Sequence, residues 1–249
     1  MAINVNTVYT TVLSILNKEQ RGYLTPDEFN KIATQVQLEI FEKFFEDYNQ
    51  YIRMPKTDVE FASRMDHIME EFQVFEKTEF ADNTTPPTSN VYAQPTDLHR
   101  FGSASWNKGT NSPPIEILSN RDYNKVKLSP LTQPTNNFPV AKYKQDKLTV
   151  FPSPTIFVNT DVTFNYIRKP LDIVWAYSVG SLGQYIYEPT NTGAGVVPTT
   201  GSVNFEISES QQTEVILEIL KYSGIIIRDP QIIQAASQEL AQEEVNSKR

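Results

Sequence analysis

The chain has no cysteine and only two histidines, His67 and His99, among its 249 residues. Without cysteine it has no disulfides, no thiolate metal ligands and no cysteine nucleophile. Two histidines leave little for a histidine metal cage or a Ser-His-Asp triad. The sequence also lacks a Walker loop and the GxGxxG and GxSxG motifs. We therefore expect no catalytic, metal-binding or cofactor-binding site, and we do not expect an enzyme.

Long apolar runs and an excess of positive charge are missing as well. No run of 18 apolar residues is present, so no segment is predicted to span a membrane. The first fifteen residues, MAINVNTVYTTVLSI, lack the basic segment and cleavage site of a signal peptide, so we expect synthesis in the cytoplasm. The net charge of −8 argues against tight binding of duplex DNA, which requires many lysine and arginine contacts to phosphate.

The charges and prolines that are present divide the chain into three parts. Residues 25–76 contain twelve acidic and five basic residues, and residues 171–249 contain ten and four. Residues 77–170 have the opposite balance, with eleven basic and seven acidic residues. Eleven of the sixteen prolines lie between Pro86 and Pro170, where they disfavour helix. This layout predicts an α+β protein whose helical ends enclose a proline-rich β part.

Three helices are predicted in the N-terminal part, which we assign to a domain over residues 1–77. The first covers residues 7–16 and has Asn6 as its cap. The second begins at Thr25-Pro26-Asp27-Glu28, a capping box with proline in the first turn, and runs to about residue 50. A similar cap at residues 57–60 begins a third helix, which we expect to pack antiparallel to the second and complete a helix bundle.

The middle part, residues 78–207, is predicted to be a projecting β domain. Residues 141–150 have the pattern of a hairpin, and residues 162–166 alternate like a half-buried strand. The segment 177–203 holds five of the nine glycines, which is typical of a long mobile loop or a loose hairpin.

Residues 208–249 are predicted to form C-terminal helices that pack on the bundle and dock a partner. Ser208 to Gln211 resembles a capping box, and Gly224 suits the position just after a helix. A last helix begins at Pro230. Its apolar stripe is short and needs a partner, so we predict an interface there formed by Ile232, Ile233, Ala236 and Leu240.

Isolated residues with metal or catalytic chemistry have simpler interpretations. Residues 17–28 align with a calcium-binding EF-hand loop, but Arg21 stands at a ligand position and the end of the segment is explained by a helix start. His67 has only Asp66 and Glu70 near it, too few ligands for a metal site. His99 is expected in a loop where Asp97 caps a turn.

Two classes of function stay open besides a structural role: a carbohydrate- or receptor-binding module, and a hydrolase. The aromatic residues between positions 166 and 187, with nearby Arg168 and Lys169, would suit a platform for sugar or nucleic acid, or else core and interface anchors. These residues are Tyr166, Trp175, Tyr177, Tyr185 and Tyr187. A hydrolase that uses two of the thirty carboxylates is the less favoured alternative, because no motif singles out a pair.

Several stretches together resemble the head–tail connector proteins of short-tailed phages, most closely those of crAss-like phages. These stretches cover nearly the whole chain and consist of structural residues. They are residues 8–30 up to the long helix that ends at 48–49, VYAQPTDLHR at 91–100, SPLTQPT at 129–135, FPVA at 138–141, LTVFP at 148–152, FNYIRKP at 164–170 with Trp175, residues 205–224, and residues 228–229.

The resemblance implies a structural subunit of the virion. The subunit would form a ring of about twelve copies that joins the portal protein to the next tail component. Duplex DNA would pass through the ring without specific binding. Negative charge on a channel wall would keep the DNA sliding, and Glu39, Glu42 and Glu46 of the second helix are the candidates to face such a channel.

Overall fold

The computed structural model has helices and a curled mixed sheet, which confirms the α+β class. The residues that it describes are 2–18, 24–53, 69–81, 90–107, 112–152, 162–190, 196–198, 201–227 and 230–247. Helices α1–α5 are Val5–Lys18, Pro26–Arg53, Asn120–Leu128, Gln212–Ile227 and Pro230–Ser247. Strands β1–β5 are Ala2–Ile3, Glu76–Phe80, Val91–Ala93, Leu98–Trp106 and Pro114–Ile117. Strands β6–β11 are Val140–Lys144, Lys147–Phe151, Val162–Arg168, Tyr177–Val179, Tyr185–Tyr187 and Phe205–Ser208.

The chain divides into two compact units. Unit 1 contains Met1–Val74 and Pro170–Arg249, and unit 2 contains Phe75–Lys169. Unit 2 is therefore inserted into the sequence of unit 1. The first boundary lies close to the predicted one at residue 77, whereas residues 170–207 group with the helices of unit 1 and not with the central β part.

Unit 2 is built on one seven-stranded sheet with the strand order β2-β8-β4-β5-β6-β7-β3. All neighbouring strands are antiparallel except β5 and β6. Alternate residues of these strands point to one face and form the core, as a pleated strand requires. This core includes Tyr92, Trp106, Leu148, Val150, Val162 and Phe164.

The chain enters and leaves unit 2 through paired strands. β2 and β8 are antiparallel neighbours, with Glu76 opposite Ile167. The backbone N–H of Arg168 donates to the carbonyl of Phe75 at 2.9 Å. The guanidinium of Arg168 lies over the ring of Phe75, 5.7 Å from its centre.

Unit 1 has α2 at its centre. The apolar side chains that recur at helical spacing along one face of α2 are buried at Phe29, Ile32, Ala33, Val36, Ile40 and Phe44, and the last of them, Tyr48, is half-buried. The capping box at the start of α2 is confirmed: Thr25 N–H donates to the Glu28 carboxylate at 2.9 Å, and Glu28 N–H donates to Thr25 Oγ1 at 3.4 Å. Residues 69–73 are also helical, and the ring of Phe72 contacts Phe45, with 4.7 Å between ring centres. The predicted start of the third helix at 57–60 lies outside the described residues.

Two predicted strand features are confirmed in unit 2. The β6–β7 hairpin pairs Ala141 with Val150 and Tyr143 with Leu148. Gln145 and Asp146 occupy its turn with φ of 51° and 57°, the left-handed values of a type I′ turn. β8 buries Val162, Phe164 and Tyr166 and extends to Arg168.

Three predicted helix ends are wrong. α1 begins at Val5, and its cap is Asn4, whose Oδ1 accepts from the N–H groups of Asn6 and Thr7 at 2.8 and 3.2 Å. Ser208 makes no side-chain cap hydrogen bond, because a short 3₁₀ turn at Glu209–Gln211 precedes α4. Gly224 lies inside α4, which continues to Ile227.

The sequence interpretation missed α3. It read residues 78–170 as loops and short strands, but Asn120–Leu128 is helical. The Ser119 hydroxyl accepts from the N–H of Asp122 at 3.2 Å and donates to its carboxylate at 2.6 Å. This Ser-x-x-Asp cap was visible in the sequence and would have indicated the helix.

Candidate functional site

The acidic face of α2 lines a shallow groove of about 320 Å³. Glu39, Glu42 and Glu46 all lie along it, beside Gln35, Leu38 and Lys43. Lys43 forms an ion pair with Glu214 of α4 at 2.7 Å. The three predicted channel-facing carboxylates therefore line one groove, which Lys43 also lines.

Glu39 is also tied to α4 by a hydrogen bond. Its carboxylate accepts from the hydroxyl of Tyr222 and from Gln35 Nε2, the latter at 3.0 Å. The hydrogen bond to Glu39, with a smaller effect of burial, raises the pKa of Tyr222 to about 12. Glu39 thus contributes to helix packing, whereas Glu46 is exposed.

The apolar stripe of α5 packs against α4. Ala236 is buried, and a methyl group added at Gly224 of α4 would meet Ile233 Cγ1 at 3.0 Å and Ile232 Cγ2 at 3.2 Å. Leu240 is half-buried. The missing side chain at Gly224 is what lets the two helices approach. Of the four residues predicted as a partner interface, Ile232 and Ile233 therefore lie close to α4 of the same chain. The role of the four residues toward a partner stays a prediction.

The last residue of α3 and the segment that connects α3 to β6 in unit 2 expose three large apolar side chains. Leu128, Leu131 and Phe138 are 81%, 98% and 78% exposed. We call residues 128–138 the apolar loop. Lysines flank it: Lys127 lies over the ring of Phe151 at 5.3 Å from its centre, and Lys142 lies over that of Tyr123 at 5.2 Å. Three exposed large apolar side chains within eleven residues of the sequence make this segment a candidate interaction surface.

An aromatic cleft of about 630 Å³ opens in unit 1. Its walls are Tyr9, Trp175, Tyr185 and Tyr187, with the polar side chains of Asn6, Thr10 and Gln184 between them. Trp175 is 4% exposed and stacks on Tyr177 and Tyr187, with ring centres 6.0 and 5.7 Å apart. The indole N–H of Trp175 donates to Asn6 Oδ1 at 3.0 Å.

Polar side chains of α2 hold the chain segment that carries Trp175. Asn30 Oδ1 accepts from Trp175 N–H at 2.7 Å, and Thr34 Oγ1 accepts from Ile173 N–H at 3.0 Å. Gln37 is 1% exposed. Its Nε2 donates to the Leu171 carbonyl and its Oε1 accepts from the Glu206 N–H, both at 2.8 Å. Hydrogen bonds from α2 thus hold in place the segment that carries Trp175, one of the walls of the cleft.

The β9–β10 hairpin forms the outer wall of the cleft. Tyr177 is opposite Tyr187, and Gly183, with φ of 79°, lies in the turn between the strands. Of the two structures predicted for residues 177–203, the described part therefore contains the hairpin. Alternation along β10 points Tyr185 and Tyr187 to the cleft and Ile186 away from it.

The predicted aromatic group is divided between the two units. Tyr166, Arg168 and Lys169 belong to unit 2, whereas the cleft aromatics belong to unit 1. Tyr166 is buried, and its hydroxyl lies 2.7 Å from Asp97 Oδ1 and 2.9 Å from Glu79 Oε2. It therefore offers no free ring face for stacking.

Lys77 completes the cluster around Tyr166. Its Nζ lies 2.8 Å from Glu79 and 3.0 Å from Asp97. The hydrogen bonds from Lys77 and Tyr166 lower the pKa of Glu79. Burial acts to raise the pKa of Asp97, but hydrogen bonds from Tyr166 and Lys77 outweigh it and lower that pKa. Burial, and then the bonds to both carboxylates, raise the pKa of Tyr166, so its hydroxyl keeps its proton and acts as the donor to Asp97 and Glu79.

Only one of the two histidines, His99, is among the residues that the structure describes. His99 lies in strand β4 and not in a loop, and Asp97 binds Tyr166 and Lys77 with its carboxylate. His67 and the centre of the EF-hand register, residues 19–23, lie outside the described residues. Within the part of the chain that the structure describes, no three acidic or histidine side chains are grouped as metal ligands.

No protein-family model matches the sequence, and no curated protein matches it significantly. Among the described residues, no helix is both long enough and apolar enough to cross a membrane.

Proposed function

We propose that this chain is a structural subunit of a phage head–tail connector ring, which joins the portal to the tail and forms part of the DNA conduit. The ring would contain about twelve copies, as its resemblance to the connectors of short-tailed phages implies. Its partners would be further copies of itself, the portal protein and the next tail component.

The observation that carries the proposal is the apolar loop. Leu128, Leu131 and Phe138 expose most of their surface to solvent, which is unfavourable for a free protein by about 25 cal/mol for each Å² of apolar area left in water. A subunit that is buried in an assembly removes this cost by contact with its neighbour. The lysines beside the loop favour a neighbour with an acidic surface.

The acidic groove of α2 supports the conduit role. Glu42 and Glu46 line this groove. Their negative charge repels a polyanion, so the groove has no electrostatic affinity for DNA. Such a surface suits a wall past which DNA must move.

The first experiment is to count this protein in purified virions by quantitative mass spectrometry against the major capsid protein. About twelve copies per particle supports the connector ring. Absence from the particle overturns the proposal.

A matched pair of variants then tests the apolar loop. The double variant Leu131→Ser/Phe138→Ser should keep the wild-type unfolding midpoint, because both side chains are exposed. Its incorporation into particles should fall by about tenfold or more, the effect of removing interface anchors. Thr132→Ser, an exposed change in the same loop, should be incorporated normally. Normal incorporation of the double variant would show that the loop is not the contact.

A further inference from the structure

The lining of the aromatic cleft carries no charge. The nine described residues that form it include four aromatic rings, two amides and one threonine, but no lysine, arginine, aspartate or glutamate. A phosphate or carboxylate bound there would lose water and find no counter-charge, which is costly. The surrounding sequence also disfavours an anionic ligand, because residues 170–220 contain six acidic and no basic residues. Nucleic acid and acidic sugars are therefore disfavoured.

Several polar groups of the cleft residues have no hydrogen-bond partner among the residues that the structure describes. Among the described residues, none bonds to Asn6 Nδ2, Gln184 Nε2 or the hydroxyls of Tyr185 and Tyr187. The oxygens of both amides are engaged, because Asn6 Oδ1 accepts from Trp175 and Gln184 Oε1 accepts from Leu182 N–H at 3.1 Å. A purely apolar ligand would leave these donors unpaired, at a cost for each one.

Aromatic rings and unpaired donors together fit a ligand with both apolar and hydroxyl faces. The face of an aromatic ring is electronegative and attracts polarised C–H groups, which a pyranose presents on one side. The hydroxyl groups of a sugar both donate and accept, so they pair with amides and phenols alike. The volume of about 630 Å³ lies within the range of small-molecule sites.

We infer that the aromatic cleft binds a neutral carbohydrate, with a pyranose ring against Tyr185 and Tyr187 and its hydroxyls bonded to Asn6 and Gln184. The site is independent of the connector proposal, since a ring subunit requires no sugar. It would give the protein a contact to neutral polysaccharide in addition to its protein partners.

The test is isothermal titration of the full chain with four neutral oligosaccharide series: malto-, cello-, chito- and galacto-oligosaccharides. Chondroitin sulfate is the charged probe. We expect saturable binding to at least one neutral series and none to chondroitin sulfate. If the corresponding monosaccharide binds as tightly as its oligosaccharide, the cleft takes free sugar; tighter binding of the oligosaccharide identifies a polysaccharide ligand. Either result supports the inference.

Two variants locate the binding. Tyr185→Ala removes a ring that is 39% exposed and should weaken binding by about tenfold. Gln184→Glu keeps the Oε1 acceptor of the turn but replaces the Nε2 donor, and should weaken binding by about fivefold or more. The matched control Ile186→Ala removes a neighbouring exposed side chain on the other face of β10 and should leave binding unchanged.

Three results would overturn the inference. They are no saturable binding to any neutral series, binding to chondroitin sulfate alone, and equal binding by wild type, Tyr185→Ala and Gln184→Glu. Unchanged unfolding midpoints of the variants establish that a loss of binding is not a loss of fold.

Discussion

Asn30 binds both backbone groups of Trp175. Its Oδ1 accepts from the N–H at 2.7 Å, and its Nδ2 donates to the carbonyl at 3.4 Å. Thr34 binds Ile173 in the same two-sided way, at 3.0 and 3.5 Å. Residues one helical turn apart on α2 thus meet alternate residues of an extended segment, and their side chains supply the hydrogen bonds that a neighbouring strand would supply.

Replacing Asn30 by alanine should lower the free energy of unfolding by about 1–3 kcal/mol, because the backbone N–H and carbonyl of Trp175 lose their partners in a half-buried place. Urea unfolding measures the change. Asn49→Ala on the exposed end of the same helix is the control and should alter stability by less than about 0.5 kcal/mol. Equal effects of the two variants would show that the hydrogen bonds of Asn30 to Trp175 contribute nothing to stability.

The elements that local sequence signals specify were predictable. Thr25 and Glu28 are three residues apart and cap the start of α2 together. Residues 141–150 alternate between apolar and polar on both sides of a turn and form the β6–β7 hairpin. Both elements were therefore predictable from neighbouring residues alone. The hydrogen bonds from Asn30 and Thr34 of α2 to the backbone of Trp175 and Ile173 were not predictable. Asn30 and Trp175 are 145 residues apart, and an asparagine on a helix gives no sign of an extended partner.

The candidate site was predictable only in its residue types. Trp175, Tyr185 and Tyr187 stood out as aromatics, but Tyr166 was grouped with them although it belongs to the other unit. Asn6, Tyr9 and Gln184 were missed as cleft residues, since nothing local connects α1 to the β9–β10 hairpin. Tyr166 is close to Trp175 in the sequence, but the two residues belong to different units because the boundary between the units lies at residue 169.

The Tyr166 cluster should make stability depend on pH in the acid range. The pKa values of Glu79 and Asp97 are lowered in the folded state from their ordinary values of 4.5 and 3.8. Their contribution is therefore present above these values and is lost as the pH falls through the lower folded-state pKa values. Unfolding free energy measured by urea at a series of pH values should decrease below about pH 4.5.

Tyr166→Phe tests the origin of this dependence. Without the hydroxyl, both carboxylates lose a hydrogen-bond donor, so their pKa values should move back toward the ordinary ones. We expect a shallower decrease in stability between neutral and acid pH than in wild type. Tyr185→Phe, outside the cluster, should leave the slope unchanged. A Tyr166→Phe slope equal to that of wild type would assign the effect to other groups.

Gly224→Leu should destabilise the protein by about 1–3 kcal/mol. A side chain at this position meets Ile233 and Ile232 at once, so α5 must move away from α4. Chemical unfolding followed by circular dichroism measures the loss. Ala235→Leu places the same side chain on the exposed face of α5 and should change stability by less than about 0.5 kcal/mol. A stable Gly224→Leu variant would show that the helices do not need this close approach.

The double variant Gln145→Asn/Asp146→Gly should stabilise unit 2 by about 0.5–1 kcal/mol. Both positions have positive φ, where Asn-Gly is preferred over Gln-Asp in a type I′ turn. Thermal unfolding is the measurement. Lys144→Asn, one residue earlier in strand β6, is the control and should bring no gain. A double variant less stable than wild type would contradict the turn assignment.

The paired strands β2 and β8 place the two ends of the inserted unit side by side, with Glu76 opposite Ile167. A short peptide would therefore be enough to close the gap if residues 75–169 were removed. Exchange of the insert by recombination takes one crossover at each of its two boundaries. Because the two chain ends are adjacent in the fold, a different insert with the same end spacing would leave the path of the helical unit's chain unchanged.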